Sequence, residues 1–271
     1  MNGTCELTVL PQAPLLQPSW DYIRRRQEFL LSPYLPACMA FLGHLFLCAP
    51  FFVLDVLGRR WSVLNRYRIS VNSENPVSFS RWFECILRIF WNYLTCILPA
   101  TALLHKFRTP NLPVLAPTCA QVLWEIAVCL LLFDAFFFFW HMSMHRVSWL
   151  YHRVHRTHHQ NQDTFALVAQ DASWAELLSL QMLALSSAAL ARCHPLSEIL
   201  FHLLNTWLAA EDHSGYDLPW ALHRLLPMFG GAPFHQLHHQ KFRGNYAPYF
   251  KHWDWLFGTY LAEEVRKTRR N

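Results

Sequence analysis

Apolar residues run along this chain in long blocks rather than alternating or recurring on one helical face. Three such blocks, 34–57, 85–104 and 121–140, each approach the ~20 residues that a bilayer-spanning helix requires. A fourth region, 177–210, is apolar but broken by Arg192-Cys193-His194-Pro195. Each half is short, so the pattern predicts a helical hairpin that crosses and returns, or dips into the membrane. Ahead of the first block, Arg24, Arg25 and Arg26 sit among Trp20, Tyr22, Ile23, Phe29 and Leu30, an amphipathic lead-in suited to the membrane interface. The expected fold is all-α: an integral membrane protein with three spans plus a helical hairpin under a cytosolic histidine-rich cap.

Composition agrees. Hydrophobic residues make up 53% of the chain and charged residues 15%, against ~25% charged in soluble domains. The excess of Phe (21) and Trp (12) implies an outer surface that meets lipid. The eight Cys form no C-x-x-C pair and read as small buried hydrophobes in a reducing compartment, not as a disulfide framework. The net charge of +5 comes from scattered or terminal basic residues. No basic stripe is interleaved with exposed aromatics, which argues against nucleic acid as a partner. Residues 1–19 lack a basic start followed by an apolar core, so no cleavable signal peptide is expected.

The chain is expected to divide into an N-terminal lumenal or interfacial segment (1–33), two spans with their loops (34–120), a region carrying the three histidine boxes (121–262) and a basic tail (263–271). Three crossings before His141 and an even number before His235 put all the histidine clusters on one side. That side then carries 16 basic residues against 6 on the other, so the clusters and C-terminus are expected to be cytosolic. The sequon Asn2-Gly3-Thr4 would be lumenal, making Asn2 a glycosylation candidate. The Arg24–Arg26 triplet runs against this orientation.

Sixteen His are placed far from randomly. Six lie between positions 141 and 159 (His141, His145, His152, His155, His158, His159), and His235, His238 and His239 repeat the H-x-x-H-H spacing of the second group. Residues three and four apart on a helix share a face. Each H-x-x-H-H triplet is therefore expected to aim three imidazoles at one point, with His141 and His145 adding two more. One zinc ion takes about four ligands, so eight imidazoles suggest two metals. Imidazole suits Zn, Cu, Fe and Ni alike. His213, in Glu211-Asp212-His213-Ser214-Gly215-Tyr216, is a candidate ninth ligand where the chain leaves the hairpin.

A lone His on an apolar face is usually a core residue, and His44, His105, His194, His202 and His252 are read that way; His152 is read as lying outside the ligand set. Carboxylates are expected to orient the liganding rings through their second nitrogen. Asp134, inside the third span, and Asp212 are the candidates, with Asp163, Asp171 and Asp254 behind them and His223 as a further neighbour.

The ordered set H-x-x-x-H, H-x-x-H-H, H-x-x-H-H over roughly 131–259 resembles the fatty acid hydroxylase/sterol desaturase superfamily. Supporting stretches include Leu131-Leu132-Phe133-Asp134, His158-His159-Gln160-Asn161 and Asn245-Tyr246-Ala247-Pro248-Tyr249-Phe250. The resemblance implies an endoplasmic reticulum enzyme with two non-haem iron ions held by His141, His145, His155, His158, His159, His235, His238 and His239. It also implies O₂ as oxidant, and electrons from NADPH through cytochrome b5 or a reductase. Cholesterol or a related sterol would be hydroxylated at the tertiary carbon 25. Two alternatives remain at this point. The same site could serve C4-methyl oxidation, ring desaturation or fatty-acyl hydroxylation, or a non-catalytic protein could store or move zinc. The tail Lys267-Thr268-Arg269-Arg270-Asn271 resembles a basic retrieval signal for the endoplasmic reticulum.

Overall fold

The computed structural model describes residues 13–69, 77–107 and 111–262, so Asn2 and the tail 263–271 lie outside it. Its principal helices are α1 (Gln17–Arg24), α2 (Leu35–Gly58), α3 (Phe79–His105), α4 (Cys119–Arg146), α5 (Trp174–Leu190), α6 (Pro195–Asp212), α7 (Gly231–Lys241) and α8 (His252–Leu256). No strand occurs among the described residues. Helices α2, α3 and α4 are long and apolar enough to cross a membrane.

Local sequence explains the boundaries. The Ser78 hydroxyl accepts from Arg81 N at 3.2 Å and that of Thr118 from Gln121 N at 3.1 Å, capping α3 and α4. Because of the Ser78 cap, α3 begins before the apolar block that predicts it, and its first turns carry Arg81, Glu84 and Arg88. Within α3 the turn Tyr93–Ile97 widens to π geometry. Pro99 follows at once; lacking an N–H and crowding the preceding turn, proline favours such a widening.

Helices α5 and α6 form the expected hairpin. At 1.5 Å per residue they are ~25 and ~27 Å long, short of a ~30 Å hydrocarbon core. Arg192 takes a left-handed conformation (φ 51°) at the turn. The turn is held from outside: Glu125 Oε2 accepts from His194 N at 3.0 Å, and Leu115 O accepts from His194 Nε2 at 3.1 Å. Trp20 of α1 packs edge-on against His194 and donates to Pro113 O at 2.8 Å. Thus α1 covers the end of the bundle farthest from the histidines.

Helix α4 packs along α5 and α6, and α2 packs along α6. Cys129, Phe133, Ala184, Ala188, Phe201 and Leu208 fill the first seam. Phe46, Phe83, Trp91, Leu123, Trp124 and Leu131 point outward and are exposed, as expected of faces that meet lipid instead of water.

Buried polar ties bind the membrane helices to the cap. Asp55 at the end of α2 accepts from Arg68 Nη1 at 3.0 Å, Tyr216 Oη at 2.7 Å and Trp82 Nε1 at 2.9 Å. Arg88 grips Asp171 in a fork at 3.0 and 2.6 Å, and Arg81 donates to Asn161 Oδ1 and Asp163 O at 3.1 and 3.0 Å. The first pair of spans therefore fixes both the loop after the second histidine box and the loop after His213.

Candidate metal centre

The nine histidines proposed from sequence converge into two groups. His141, His145, His155, His159 and His238 form one; His158, His213, His235 and His239 form the other. Within each group the ligand atoms lie within 4.8 Å of one another. This corrects the expectation that each H-x-x-H-H triplet aims at one point. The second box sends His155 and His159 to the five-membered group and His158 to the four-membered one. The third box sends His238 to the first group and His235 with His239 to the second. In the third box, which is α-helical, geometry gives the reason: His235 and His239, at i and i+4, nearly overlie each other, whereas His238 lies ~100° from His239. Each box therefore straddles both groups and fixes their spacing.

The local backbone also departs from expectation in the second box. His155 ends a π turn, Tyr151–His155, and His158 begins a 3-10 turn, Ser-free and short, running His158–Gln160. The third box lies on the regular helix α7. His213 is the C-cap just after Asp212, the last residue of α6, with its Nδ1 donating to Ala209 O at 2.8 Å. His152 is exposed.

Hydrogen bonds set the tautomers. The Nδ1 atoms of His141, His238 and His239 donate to the carbonyls of Tyr246 (2.8 Å), Gly244 (2.7 Å) and Asn161 (3.1 Å). A carbonyl only accepts, so Nδ1 carries the proton and Nε2 presents a lone pair. The Nε2 atoms then crowd together: His141 to His155 at 3.0 Å, His155 to His159 at 2.9 Å, His159 to His238 at 3.2 Å, and His213 to His235 at 2.9 Å. Facing lone pairs repel unless a cation sits among them. Nitrogens ~2.0–2.1 Å from an ion and at right angles about it lie roughly 2.9 Å apart, so the observed separations fit a metal.

Burial keeps the rings neutral and ready to coordinate. It lowers His213 to about 4 and His238 to about 3. His155, His158, His235 and His239 fall well below the ordinary value, first through burial and then through their histidine neighbours.

The carboxylate on a ring is Glu176, whose Oε1 lies 2.9 Å from His155 Nδ1. It was missed in the sequence because nothing near Glu176 marks it; the Ser173 cap, accepting from Glu176 N at 3.2 Å, places it in the first turn of α5. The carboxylates and histidine expected in that role sit elsewhere. Asp134 Oδ1 accepts from Tyr249 N and Phe250 N at 2.9 and 3.1 Å, holding the loop whose Tyr246 carbonyl orients His141. His223 pairs with Asp217 at 2.9 Å. Asp212 is buried and lines a cavity beside His213 and His235. Asp171 is spent on Arg88 and Asn161, and Asp254 accepts from Tyr246 N and Ala247 N, each at 2.8 Å.

That cavity, about 1300 Å³, runs from His141, His155, His158, His213 and His235 through the bundle to Leu35, Leu112 and Arg192 at the opposite end. Its walls are predominantly apolar.

Fold and site define a class: a multi-pass helical membrane protein with paired histidine groups where its third span emerges. The chain belongs to the fatty acid hydroxylase family, whose model matches residues 126–259. It is 43% identical to the cholesterol 25-hydroxylase-like protein of Danio rerio, over 90% of this chain and 97% of that one. It is 44% identical to cholesterol 25-hydroxylase of Mus musculus, over 90% of this chain and 82% of the mouse protein. Against the Homo sapiens enzyme the identity is 42%, over 92% of both chains. No solved structure matches the chain.

Proposed function

We propose that this protein is a sterol monooxygenase that hydroxylates cholesterol at carbon 25, using two non-haem irons held by the nine histidines. The observation that carries the reading is the long apolar cavity that reaches both histidine groups. A rigid, largely apolar substrate entering tail-first would present the end of its side chain to the metals. The sterol and the activity are those of the similar cholesterol 25-hydroxylases. They also weigh against a zinc store, as does the placement of every ligand candidate at one end of the bundle instead of along a path through it.

When bound, the irons would supply O₂ activation against an unactivated C–H bond. This chain's residues do the rest. Backbone carbonyls of Tyr246, Gly244, Asn161 and Ala209 hold four rings with Nε2 inward. Glu176 would make His155 a stronger donor. The buried setting of the rings excludes bulk water, and the apolar walls orient the substrate. Five donors in one group and four in the other would let an ion in the second group keep more positions for other ligands, and that group lies against the cavity through His158, His213 and His235.

The basic-residue bias, 16 against 6, supports a cytosolic site, and the family resemblance implies the endoplasmic reticulum membrane. Electrons would come from NADPH through cytochrome b5 or a membrane reductase, and Asn2 would be lumenal and glycosylated. The test is expression in cells with sterol profiling, wild type beside His158→Ala. The expected result is a new 25-hydroxysterol from wild type alone. A C4-oxidised sterol, a desaturated sterol or a hydroxylated fatty acid would reassign the substrate and keep the site. Hydroxylation retained in His158→Ala would remove the metal assignment.

A further inference from the structure

At the end of the cavity opposite the histidines, Cys129 of α4 and Cys193 of the α5–α6 turn bring their Sγ atoms to 3.0 Å. We propose that these two cysteines form a disulfide in the mature protein, clamping the hairpin turn to α4 at the far mouth of the cavity. Their separation of 64 positions hides the pair from any spacing rule, so the cysteine pattern alone reads as reduced and buried, and these two would be the exception.

The geometry asks for little movement. A disulfide needs its sulfurs ~2.0 Å apart, so the pair must close by about 1 Å. The turn is already fixed on both sides of Cys193: Cys193 N donates to Ala188 O at 3.1 Å, and His194 N to Glu125 Oε2 at 3.0 Å. Glu125 lies one helical turn from Cys129, so the backbone contact and the sulfur contact join the same two elements. Both sulfurs sit among apolar side chains of the α4–α5–α6 seam, which offers no other partner of comparable strength.

The oxidant is a disulfide-bearing thiol exchanger of the oxidising compartment. The Cys193 side chain is the more accessible, since Cys129 is fully buried. Its thiolate attacks the exchanger's disulfide, forming a mixed disulfide and releasing one thiol. The Cys129 thiolate then attacks Cys193 Sγ, forming the protein disulfide and releasing the second thiol. Two electrons pass to the exchanger, and the two protons lost by the cysteines end on its thiols. Burial pushes the Cys193 thiol above its ordinary value, which slows the exchange without altering the favoured product. The inference rests on the orientation proposed above, in which this turn faces the lumen, where disulfides persist. It does not depend on the hydroxylase chemistry.

The clamp would also serve the site. Cys193 and its neighbours Arg192 and His194 line the cavity mouth, and linking them to α4 stops α5 and α6 from parting from the span that carries His141 and His145.

The test counts thiols on the full-length protein in freshly isolated microsomes, quenched in acid. Free thiols are blocked, disulfides are reduced, and the new thiols are tagged with a polyethylene-glycol maleimide read as a gel shift. Wild type is expected to gain two tags, and Cys129→Ser and Cys193→Ser to gain none. Cys85→Ser, a buried cysteine of another seam, should keep both. No tags on wild type, or tags persisting in either of the first two variants, would overturn the proposal. A cross-linked peptide joining Cys129 to Cys193, lighter by two hydrogens than its separate halves, would identify the bond directly.

Discussion

Glu176 and His155 meet at 2.9 Å inside the protein, both of them buried, with the carboxylate on the nitrogen that points away from the histidine group. A carboxylate in this position fixes the ring and raises its basicity, and its removal elsewhere costs ~10–100-fold in metal affinity or activity. Glu176→Gln keeps the size and can keep a hydrogen bond but can never supply a carboxylate. We expect it to lower bound metal or turnover by that order while the protein still folds. Metal per polypeptide by mass spectrometry, beside turnover, checks this. Wild-type metal content together with wild-type turnover would show that Glu176 is packing only.

Gly215 lies two residues after His213 with φ at +74°, and an added Cβ would stand 2.7 Å from Thr164 O. Gly215→Ala therefore combines a left-handed strain with a backbone clash, on the order of 2–3 kcal/mol. Gly258 has a similar φ of +65° but open space around it. Gly258→Ala should cost only about 1 kcal/mol. Thermal midpoints of the two variants separate the terms: equal shifts would mean that the Thr164 contact relaxes freely.

How far the sequence reveals this arrangement depends on the range of the interaction. The three histidine boxes are visible because i, i+3 and i+4 spacing is a local property, and His213 is visible because it sits where an apolar helix ends. The division of the third box between two groups is local too, following from the ~100° between neighbouring positions of an α-helix, whereas that of the second box depends on a π and a 3-10 turn that its spacing does not reveal. Partners distant in the chain do not show. Glu176 reaches His155 across 21 positions, and Cys129 meets Cys193 across 64. Asp134 looked like a ring-orienting group because it is a charge at membrane depth. Its Oδ1 holds the loop of Tyr249 and Phe250, and so acts on His141 only through Tyr246. The early start of α3 escaped because Arg81, Glu84 and Arg88 interrupt the apolar pattern while serving the cap.

Asp55 gathers Arg68, Tyr216 and Trp82 around one carboxylate, and the Arg68 and Asp55 side chains are each only 3% exposed. Asp55→Ala leaves a buried guanidinium without its counter-charge, a loss of ~3–5 kcal/mol. The double variant Asp55→Leu with Arg68→Met removes both charges and should recover part of that loss. The measurement is the thermal midpoint of detergent-purified protein. A double variant no better than Asp55→Ala would mean that the hydrogen bonds to Tyr216 and Trp82, and not the ion pair, set the cost.

Metal removal should destabilise the fold, because the lone pairs of His141 and His155 face each other at 3.0 Å only at a cost when no cation separates them. A ligand bound to the native state alone stabilises it by RT ln(1 + [L]/Kd), about 2.7 kcal/mol at a hundredfold excess over Kd. Chelated protein is expected to unfold at a lower temperature and to regain its midpoint when ferrous ion is added back anaerobically. His158→Ala, from the four-membered group, should regain less. An unchanged midpoint on chelation, with metal loss verified, would contradict the reading of these rings as a metal cradle.

Gly43 offers a test of the cavity that does not disturb the histidines. It lines the cavity from the middle of α2, and a Cβ built on it meets only Leu203 Cδ2, at an ordinary 3.8 Å. A larger side chain there would extend into the cavity without moving backbone. Replacing a mid-helix glycine also favours the helix by up to ~1 kcal/mol. Gly43→Leu is therefore expected to hold or raise the thermal midpoint and leave metal content unchanged. Sterol turnover should fall several-fold, through KM before kcat. Turnover falling together with metal content would place the effect on the fold of the site. Turnover unchanged would mean that substrate reaches the histidines by another route.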